Sequence, residues 1–170
     1  MVSIRPERPA DIPAIREINE AAFGQHAEAD LVDALRAAGK LTLSLVAVEG
    51  QETLGYVMFS PAIIETVRGH LPVLGLAPLA VTPTLQRRGI GSQLMQAGID
   101  ECRKLGHERV VVVGHPEFYR RFNFVRANKY GLRCEYDVPV ENFMALELKS
   151  GSFANCAGLV KYAPEFKAVA

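Results

Sequence analysis

Gln86-Arg87-Arg88-Gly89-Ile90-Gly91 is the stretch of sequence that decides how this chain folds. It follows an apolar run, Leu74 to Val81, and precedes an amphipathic segment, Ser92 to Leu105. This order predicts a strand, a basic loop with glycines and the start of a helix. The first turn of a helix leaves backbone N–H groups without partners, and the helix dipole is positive there. Because glycine lets a ligand approach the backbone and two arginines add charge, we expect a pyrophosphate or a similar anion to bind here.

Two other phosphate-binding motifs do not match this loop. A P-loop requires Lys and then Ser or Thr after its last glycine, whereas Ser92 and Gln93 follow Gly91. The dinucleotide-binding fingerprint requires three spaced glycines in a first strand-turn-helix unit, and here two glycines stand in mid-chain. Taken alone, the loop also fits a surface turn with two solvated arginines, so its interpretation depends on the flanking segments.

Length and composition narrow the class of protein. The 170 residues are 49% hydrophobic and 22% charged, which suits a single globular domain over residues 1–170. Nineteen basic residues balance nineteen acidic ones, which supports neither nucleic acid nor an anionic membrane as the main partner. Three widely spaced cysteines fit neither a zinc pattern nor a disulfide framework. With no signal-peptide core at residues 1–6 and no apolar run of roughly 18–20 residues, we expect a cytoplasmic protein.

Hydrophobic periodicity predicts the elements of the first half of the chain. We expect, in order, a strand at 2–5, a helix capped by Asp11 and ended by Gly24, a helix at about 27–38 ended by Gly39, and a hairpin of strands at 41–48 and 53–59. Residues 61–72 are less regular, and we expect a strand edge and a loop there.

The second half predicts a central strand at 73–82 with Pro78 inside it. Proline cannot donate to a ladder, so we expect this strand to bulge or to leave a neighbour at Pro78, which would free the backbone of Leu79 to Val81 for a ligand. The further elements expected are the helix after Gly91, ended by Gly106, a strand at 109–113 parallel to the preceding strand, a short helix at 116–122, strands from about 123 and at 142–148, and an edge strand at 159–162.

Three segments together resemble one protein family. They are Leu79-Ala80-Val81-Thr82-Pro83, the stretch Gln86 to Gly91, and Phe118-Tyr119-Arg120-Arg121-Phe122-Asn123-Phe124. In this order of elements they resemble the GNAT superfamily of acyl-CoA-dependent N-acetyltransferases, over about residues 2–130.

Two further segments, Gly114 to Tyr119 and Val160 to Phe166, resemble a bacterial subgroup of this family. The chain departs from the usual family pattern at Asn123, where most members have glycine, although Asn tolerates a left-handed backbone. It also has Gly114-His115-Pro116 where many members have an asparagine that helps to hold the coenzyme.

The resemblance implies an α/β (α+β) GNAT fold. Its mixed central sheet would have about seven strands, with helices on both faces and a splayed parallel strand pair at the cofactor site. Acetyl-CoA would be the cosubstrate, and no metal is implied. Backbone N–H groups of the basic loop would hold the pyrophosphate, and the end of the preceding strand would pair with the pantetheine amides. The implied cofactor-binding residues are Leu79, Ala80, Val81, Gln86, Arg87, Arg88, Gly89, Ile90, Gly91 and Ser92.

Transfer of an acetyl group from a thioester to an amine needs a neutral amine, an oxyanion stabiliser and a proton for the leaving thiolate. Tyr119 is the candidate acid, because a phenol with a pKa of about 10 is protonated at neutral pH, and a thiolate with a pKa of about 8.5 can accept its proton. The N–H of Leu79 or Ala80 is the candidate oxyanion donor.

The sequence does not identify the general base. The candidates are four side chains and a chain of water molecules. Those side chains are Glu28, Glu65, His70 and His115. Cys102 falls on the apolar stripe of its helix and is predicted to belong to the core, which disfavours a covalent acetyl-cysteine route.

Other functions also stay open at this level. The chain fits an acyl-CoA-binding sensor or interaction module without efficient catalysis, or a different anion-binding α/β protein. Tyr119 favours an enzyme, because binding alone does not require an acid. The acceptor would be an amine of a small molecule or a peptide, and the resemblance raises the option of a homodimer.

Overall fold

The first half of the chain forms the helices that its periodicity predicts. The structure is a computed structural model and describes residues 1–169. Its early elements are β1 (Ser3–Pro6), α1 (Ile12–Phe23), α2 (Ala27–Ala37), β2 (Leu43–Glu49), β3 (Glu52–Thr66) and β4 (Gly69–Val81). Gly24 follows α1 with φ 68° and Gly39 lies just beyond α2 with φ 70°. Both glycines take the left-handed conformation that ends a helix, as expected.

Asp11 is the N-cap residue of α1, as predicted, but its side chain accepts no hydrogen bond from the first turn of that helix. A 3-10 turn over Pro9–Asp11 precedes the helix. The Asp11 carboxylate accepts hydrogen bonds from the Arg8 N–H at 2.7 Å and from the Arg5 guanidinium at 2.7 and 3.0 Å. The hydrogen bond from Arg5 holds the pKa of Asp11 below its usual value. Asp11 therefore ties the start of α1 to β1 through an ion pair that the local sequence does not reveal.

Residues 61–72 are regular, where a strand edge and a loop were expected. β3 continues through Pro61 to Thr66, and β4 begins at Gly69. The Thr66 hydroxyl donates to the Gly69 carbonyl at 2.8 Å and accepts from the Arg68 N–H at 3.1 Å, which closes a tight turn. Pairing with neighbouring strands stabilises this hairpin, and such pairing outweighs weak local preference in β-strands.

The second half adds more strands than the sequence predicted. Its elements are α3 (Ile90–Lys104), β5 (Arg109–Val113), α4 (Pro116–Tyr119), β6 (Val125–Arg126), β7 (Leu132–Cys134), β8 (Phe143–Glu147) and β9 (Gly158–Lys161). Within residues 1–169 there are nine strands, where about seven were expected, and four α-helices. The strand expected from about 123 is the two-residue β6, and β7, which was not predicted, has too few residues to show an alternating pattern.

The chain divides into two units, and β3, β4 and α3 contribute residues to both. The first unit contains residues 1–60, 77–100 and those from Glu165 on. Its strand order is β1-β2-β3-β4, with β1 and β3 antiparallel to β2. Its core includes fully buried side chains from both helices and strands, namely Leu31, Leu35, Val46, Tyr56, Phe59, Leu94 and Met95.

The second unit contains residues 61–76 and 101–164, with the strand order β3-β4-β5-β8-β6. The parallel ladder of β4 and β5 joins Leu74 with Val110 and Gly75 with Val111. On its other side β5 pairs antiparallel with β8 along its whole length. The mixed sheet with a parallel β4–β5 pair is therefore confirmed.

We expected an edge strand at residues 159–162, but β9 lies between two other strands, β3 and β7. Val160 lies opposite Ile64 in an antiparallel pair with β3, and opposite Cys134 in a parallel pair with β7. Gly158 permits this insertion, because a Cβ there would lie 2.0 Å from the Glu65 carbonyl oxygen. The strand brings Val160 into the apolar core of the second unit.

We predict that Gly158→Ala lowers the free energy of unfolding by about 2 kcal/mol, because the added Cβ pushes β9 away from a backbone atom that cannot rotate aside. Urea unfolding followed by circular dichroism measures this change. Lys161→Ala is the control in the same strand, since its half-exposed ion pair with Glu65 contributes at most about 1 kcal/mol. Equal stability of the wild type and Gly158→Ala would contradict the tight β3–β9 contact.

Candidate functional site

The chain passes from β4 into α3 through a loop with two left-handed residues. Arg87 has φ 65° and Gly89 has φ 86°. The Gln93 N–H then donates to the Gly89 carbonyl at 3.0 Å. The N–H groups of Ile90 and Gly91 precede this bond, so helix geometry gives them no acceptor within α3. Successive N–H groups after a left-handed residue, at the positive end of a helix dipole, are an arrangement that binds anions.

The loop residues are exposed, and one of them is held by a side-chain hydrogen bond. Arg87, Arg88 and Gly89 are exposed, so both guanidinium groups lie at the surface beside the helix start. The Gln86 side-chain amide donates to the Val81 carbonyl at 3.1 Å, which ties the loop to the end of β4. The sequence did not reveal the left-handed backbone at Arg87, because few residues other than glycine, Asn and Asp adopt it.

The last residues of β4 present their backbone groups to two different sides. The Thr82 N–H donates to the Leu54 carbonyl of β3 at 2.9 Å. Backbone groups alternate along a strand, so those of Ala80 point toward β3 as well, and those of Leu79 and Val81 point away from it. The tether from Gln86 to the Val81 carbonyl agrees with this alternation.

Two glycines that the sequence analysis did not single out seat α3 against the sheet. A Cβ at Gly55 would lie 2.9 Å from the Leu94 side chain, and one at Gly98 would lie 2.7 Å from the Phe59 ring. The only signal in the sequence is a glycine inside a strand or helix pattern. Such a glycine indicates that another part of the chain packs closely against it, but it does not show which part. These contacts determine how α3 lies on β3 and hence where its first turn begins.

Tyr119, the predicted acid, lies in the second unit at the end of α4 and is only 8% exposed. Its ring packs edge-on against Phe118 and Phe124, at centroid distances of 5.0 and 5.5 Å. Gly114 makes room for it, since a Cβ there would lie 2.3 Å from the Tyr119 ring. Burial raises the pKa of Tyr119 to about 12, so the phenol is protonated at neutral pH.

The turn after α4 holds Tyr119 and Phe124 together. Asn123 has φ 71°, which confirms that this Asn adopts the left-handed backbone where most members of the family have glycine. The Phe124 N–H donates to the Tyr119 carbonyl at 3.4 Å. At the other end of α4, the His115 carbonyl accepts the N–H groups of Phe118 and Tyr119 at 3.1 and 3.3 Å.

The candidate bases come from different elements of the chain. Glu28 lies in the first unit, where its carboxylate accepts hydrogen bonds from Gln25 at 3.0 and 3.1 Å. In the second unit Glu65 lies 3.6 Å from His70 and 3.3 Å from Lys161. His115 is exposed at the start of α4. Among these four, Glu65 and His70 lie within 3.6 Å of each other.

Cys102 is fully buried, as predicted, and burial raises the pKa of its thiol to about 12. A thiol of this kind is a poor nucleophile, which agrees with its assignment to the core. Across the described residues, no three His, Cys, Asp or Glu side chains converge as a metal ion would require. No helix within residues 1–169 combines the length and apolar composition needed to cross a membrane.

Comparison with known proteins identifies the family to which this chain is similar. A family model described as acetyltransferase (GNAT) domain matches residues 3–127. The uncharacterized N-acetyltransferase YhbS of Escherichia coli K12 is 37% identical over 164 residues, which cover 96% of this chain and 97% of YhbS.

Two solved structures are also similar over nearly the whole chain. The structure of E. coli YhbS in complex with CoA has a TM-score of 0.92 at 36% identity and covers 98% of this chain and 92% of YhbS. A GNAT family acetyltransferase from Brucella melitensis in complex with acetyl-CoA has a TM-score of 0.82 at 35% identity, with 98% of both chains covered. The family model and both relatives span most of the sequence, and the chain therefore belongs to the GNAT acetyltransferase family.

Proposed function

We propose that the protein transfers an acetyl group directly from acetyl-CoA to an amine, within a complex that holds both substrates. The observation that carries this proposal is the turn from β4 into α3, where the first N–H groups of α3 have no acceptor within the helix and two exposed arginines lie beside them, an arrangement that suits a pyrophosphate. The relatives from E. coli and Brucella melitensis, which are bound to CoA and acetyl-CoA, support the same ligand.

The loop from Arg87 to Ser92 binds the pyrophosphate in this proposal. Gly89 and Gly91 leave the backbone open to the phosphate oxygens, and Ile90 lies between them in the first turn of α3. Arg87 and Arg88 add positive charge from exposed positions, where they attract the anion without a desolvation cost.

The end of β4 binds the pantetheine arm. The backbone groups of Leu79 and the N–H of Val81 face away from β3 and suit pairing with an added strand, such as the amides of pantetheine. Of the two candidate oxyanion donors, we favour the Leu79 N–H, because the groups of Ala80 point toward β3. Gln86 contributes indirectly in this proposal. Its side-chain amide donates to the Val81 carbonyl and so holds the loop that binds the pyrophosphate.

In the chemical step, the amine nitrogen attacks the thioester carbonyl carbon. A C–N bond forms and the C–S bond breaks, and the leaving CoA thiolate takes the proton of the Tyr119 hydroxyl. The proton that the amine loses passes to a base or to water, and the Tyr119 phenolate regains a proton from solvent. Tyr119 suits this role because it is protonated at neutral pH and is held in one orientation by its ring contacts.

Calorimetric titration of the purified protein with acetyl-CoA tests the coenzyme assignment directly. We expect binding that is lost when adenosine, which lacks the pyrophosphate, replaces acetyl-CoA. Release of free thiol in the presence of a panel of amines then tests catalysis. Binding without thiol release for any amine would favour a sensor, and no binding at millimolar acetyl-CoA would overturn the proposal.

We predict that Gly89→Asp weakens acetyl-CoA binding by about tenfold or more, because a carboxylate then lies where the pyrophosphate binds. The matched control is Gly106→Asp, just beyond the other end of α3. Gly106 has φ 89°, close to the 86° of Gly89, so both variants carry the same backbone strain. Calorimetry should show that the control binds acetyl-CoA as tightly as the wild type. Equal affinity for acetyl-CoA in the wild type and both variants would contradict the assignment of this loop to the binding site.

We predict that Tyr119→Phe lowers kcat by about 100-fold while the affinity for acetyl-CoA changes little, because the phenol acts in the transition state. Steady-state thiol release and calorimetry measure the two quantities. Tyr130→Phe is the control, since this tyrosine stacks on Phe153 at 4.8 Å and takes no part in the proposed chemistry. A wild-type kcat in Tyr119→Phe would assign Tyr119 to packing alone.

A further inference from the structure

A cleft of about 720 Å³ lies in the first unit, where the turn of the β2–β3 hairpin meets the start of α3. This hairpin cleft is lined mainly by two segments, 49–54 of the hairpin and 85–93 of the β4–α3 loop and α3. The cleft lies beside β3, whereas pantetheine is proposed to bind on the side of β4 that faces away from β3. Its volume is within the range of about 300–1,000 Å³ that is usual for small-molecule sites.

The base of the hairpin cleft is apolar. Leu54 and Ile90 line it and are only 6% and 5% exposed, and the lining residue Leu85 is half-buried. These three side chains come from both walls of the cleft. An apolar side chain of a ligand would leave water when it packs on them, and this burial is the main source of affinity for such a group.

The two walls carry opposite charges at their exposed rim. The hairpin contributes the carboxylates of Glu49 and Glu52, and the loop contributes the guanidinium of Arg88. Glu49 lies 3.6 Å from the Met1 amine. Among the residues that the structure describes, the side chains of Glu52 and Arg88 pair neither with each other nor with another group. A ligand that carries both an ammonium and a carboxylate group would complement these two walls.

The rim also carries two side-chain amides, Gln51 on the hairpin and Gln93 on α3. Each amide has a donor and an acceptor, as the N–H and C=O groups of a peptide require. A single amino acid would leave most of a cleft of about 720 Å³ unfilled. The apolar base, the amides and the opposite charges together favour a short apolar peptide with both termini ionised.

We propose that the hairpin cleft is a second ligand site and binds a short apolar peptide, with the ammonium group at Glu52 and the carboxylate at Arg88. Arg88 also belongs to the loop that holds the pyrophosphate in the proposed function. Because the two anions repel each other and share one guanidinium, the peptide weakens CoA binding, and CoA weakens peptide binding by the same factor. This coupling rests on the proposed function, whereas binding of the peptide alone does not.

Calorimetric titration with trileucine, without any coenzyme, tests the site at Glu52. We expect trileucine to bind more tightly than N-acetyl-trileucine, which lacks the ammonium group. Glu52→Gln should weaken trileucine binding by about fivefold and leave binding of the acetylated peptide unchanged. Glu17→Gln is the control, because Glu17 is an exposed carboxylate on α1 outside the cleft, and this variant should bind trileucine as the wild type does.

The same titration tests the site at Arg88. Arg88→Gln should weaken trileucine binding by about fivefold and leave binding of trileucine amide, which lacks the carboxylate, unchanged. Arg87→Gln is the matched control, because Arg87 is the exposed neighbour in the same loop and does not line the cleft. Saturating trileucine should raise the Kd of CoA by about threefold in the wild type and in Arg87→Gln, but not in Arg88→Gln. CoA is used here because it has no acetyl group to transfer to the peptide.

The outcomes separate this inference from the proposed function, with circular dichroism showing that each variant is folded. No binding of trileucine at millimolar concentration would overturn the site. Binding that neither Glu52→Gln nor Arg88→Gln weakens would also overturn it, since the peptide would then bind elsewhere. A Kd of CoA that trileucine leaves unchanged would overturn the coupling. Failure of CoA itself to bind would overturn the proposed function, while the trileucine titration would still decide the peptide site.

Discussion

The close approach of α3 to β3 is the constraint on which the geometry of the Gln86 to Gly91 loop depends. Gly55 and Gly98 leave room for Leu94 and Phe59 where any Cβ would collide with them. Protein interiors are close-packed, so a helix seated in this way has little freedom to shift or rotate. The loop must therefore join a fixed strand end to a fixed helix start, and the left-handed residues Arg87 and Gly89 make that sharp connection. The direction of the first N–H groups of α3 follows from this geometry.

Burial has two opposite effects on Tyr119. It keeps the phenol protonated and ready to donate at neutral pH, and it makes the phenolate costly. With a pKa of about 12 against about 8.5 for the departing thiolate, unassisted proton transfer would be uphill by roughly 5 kcal/mol. A tyrosine of this kind can act as the proposed acid only where its phenolate is stabilised. Gly114 and Asn123 shape the turn that holds the ring of Tyr119.

The C-terminal segment shows why contacts between distant residues escape local patterns. Residues 159–162 predicted a strand, and β9 is there, but it lies between β3 and β7 instead of at an edge. Its place depends on Gly158, which allows contact with the backbone of Glu65, more than 90 residues earlier in the chain. Likewise Asp11 was predicted to cap α1 from its sequence position, yet it pairs with Arg5 because β1 brings that guanidinium within reach.

The sequence by itself determined the helices, most strands and the position of the Gln86 to Gly91 loop between β4 and α3, because these follow from local periodicity and glycine stops. The tertiary structure decided the rest. It determined which backbone groups of Leu79 to Val81 face away from β3, and it extended β3 through Pro61 and placed β9 between two strands. Each of these depends on pairing between strands far apart in sequence. The physical reason is that nearly every residue has the same backbone donor and acceptor, so the local sequence does not specify which strand a segment pairs with.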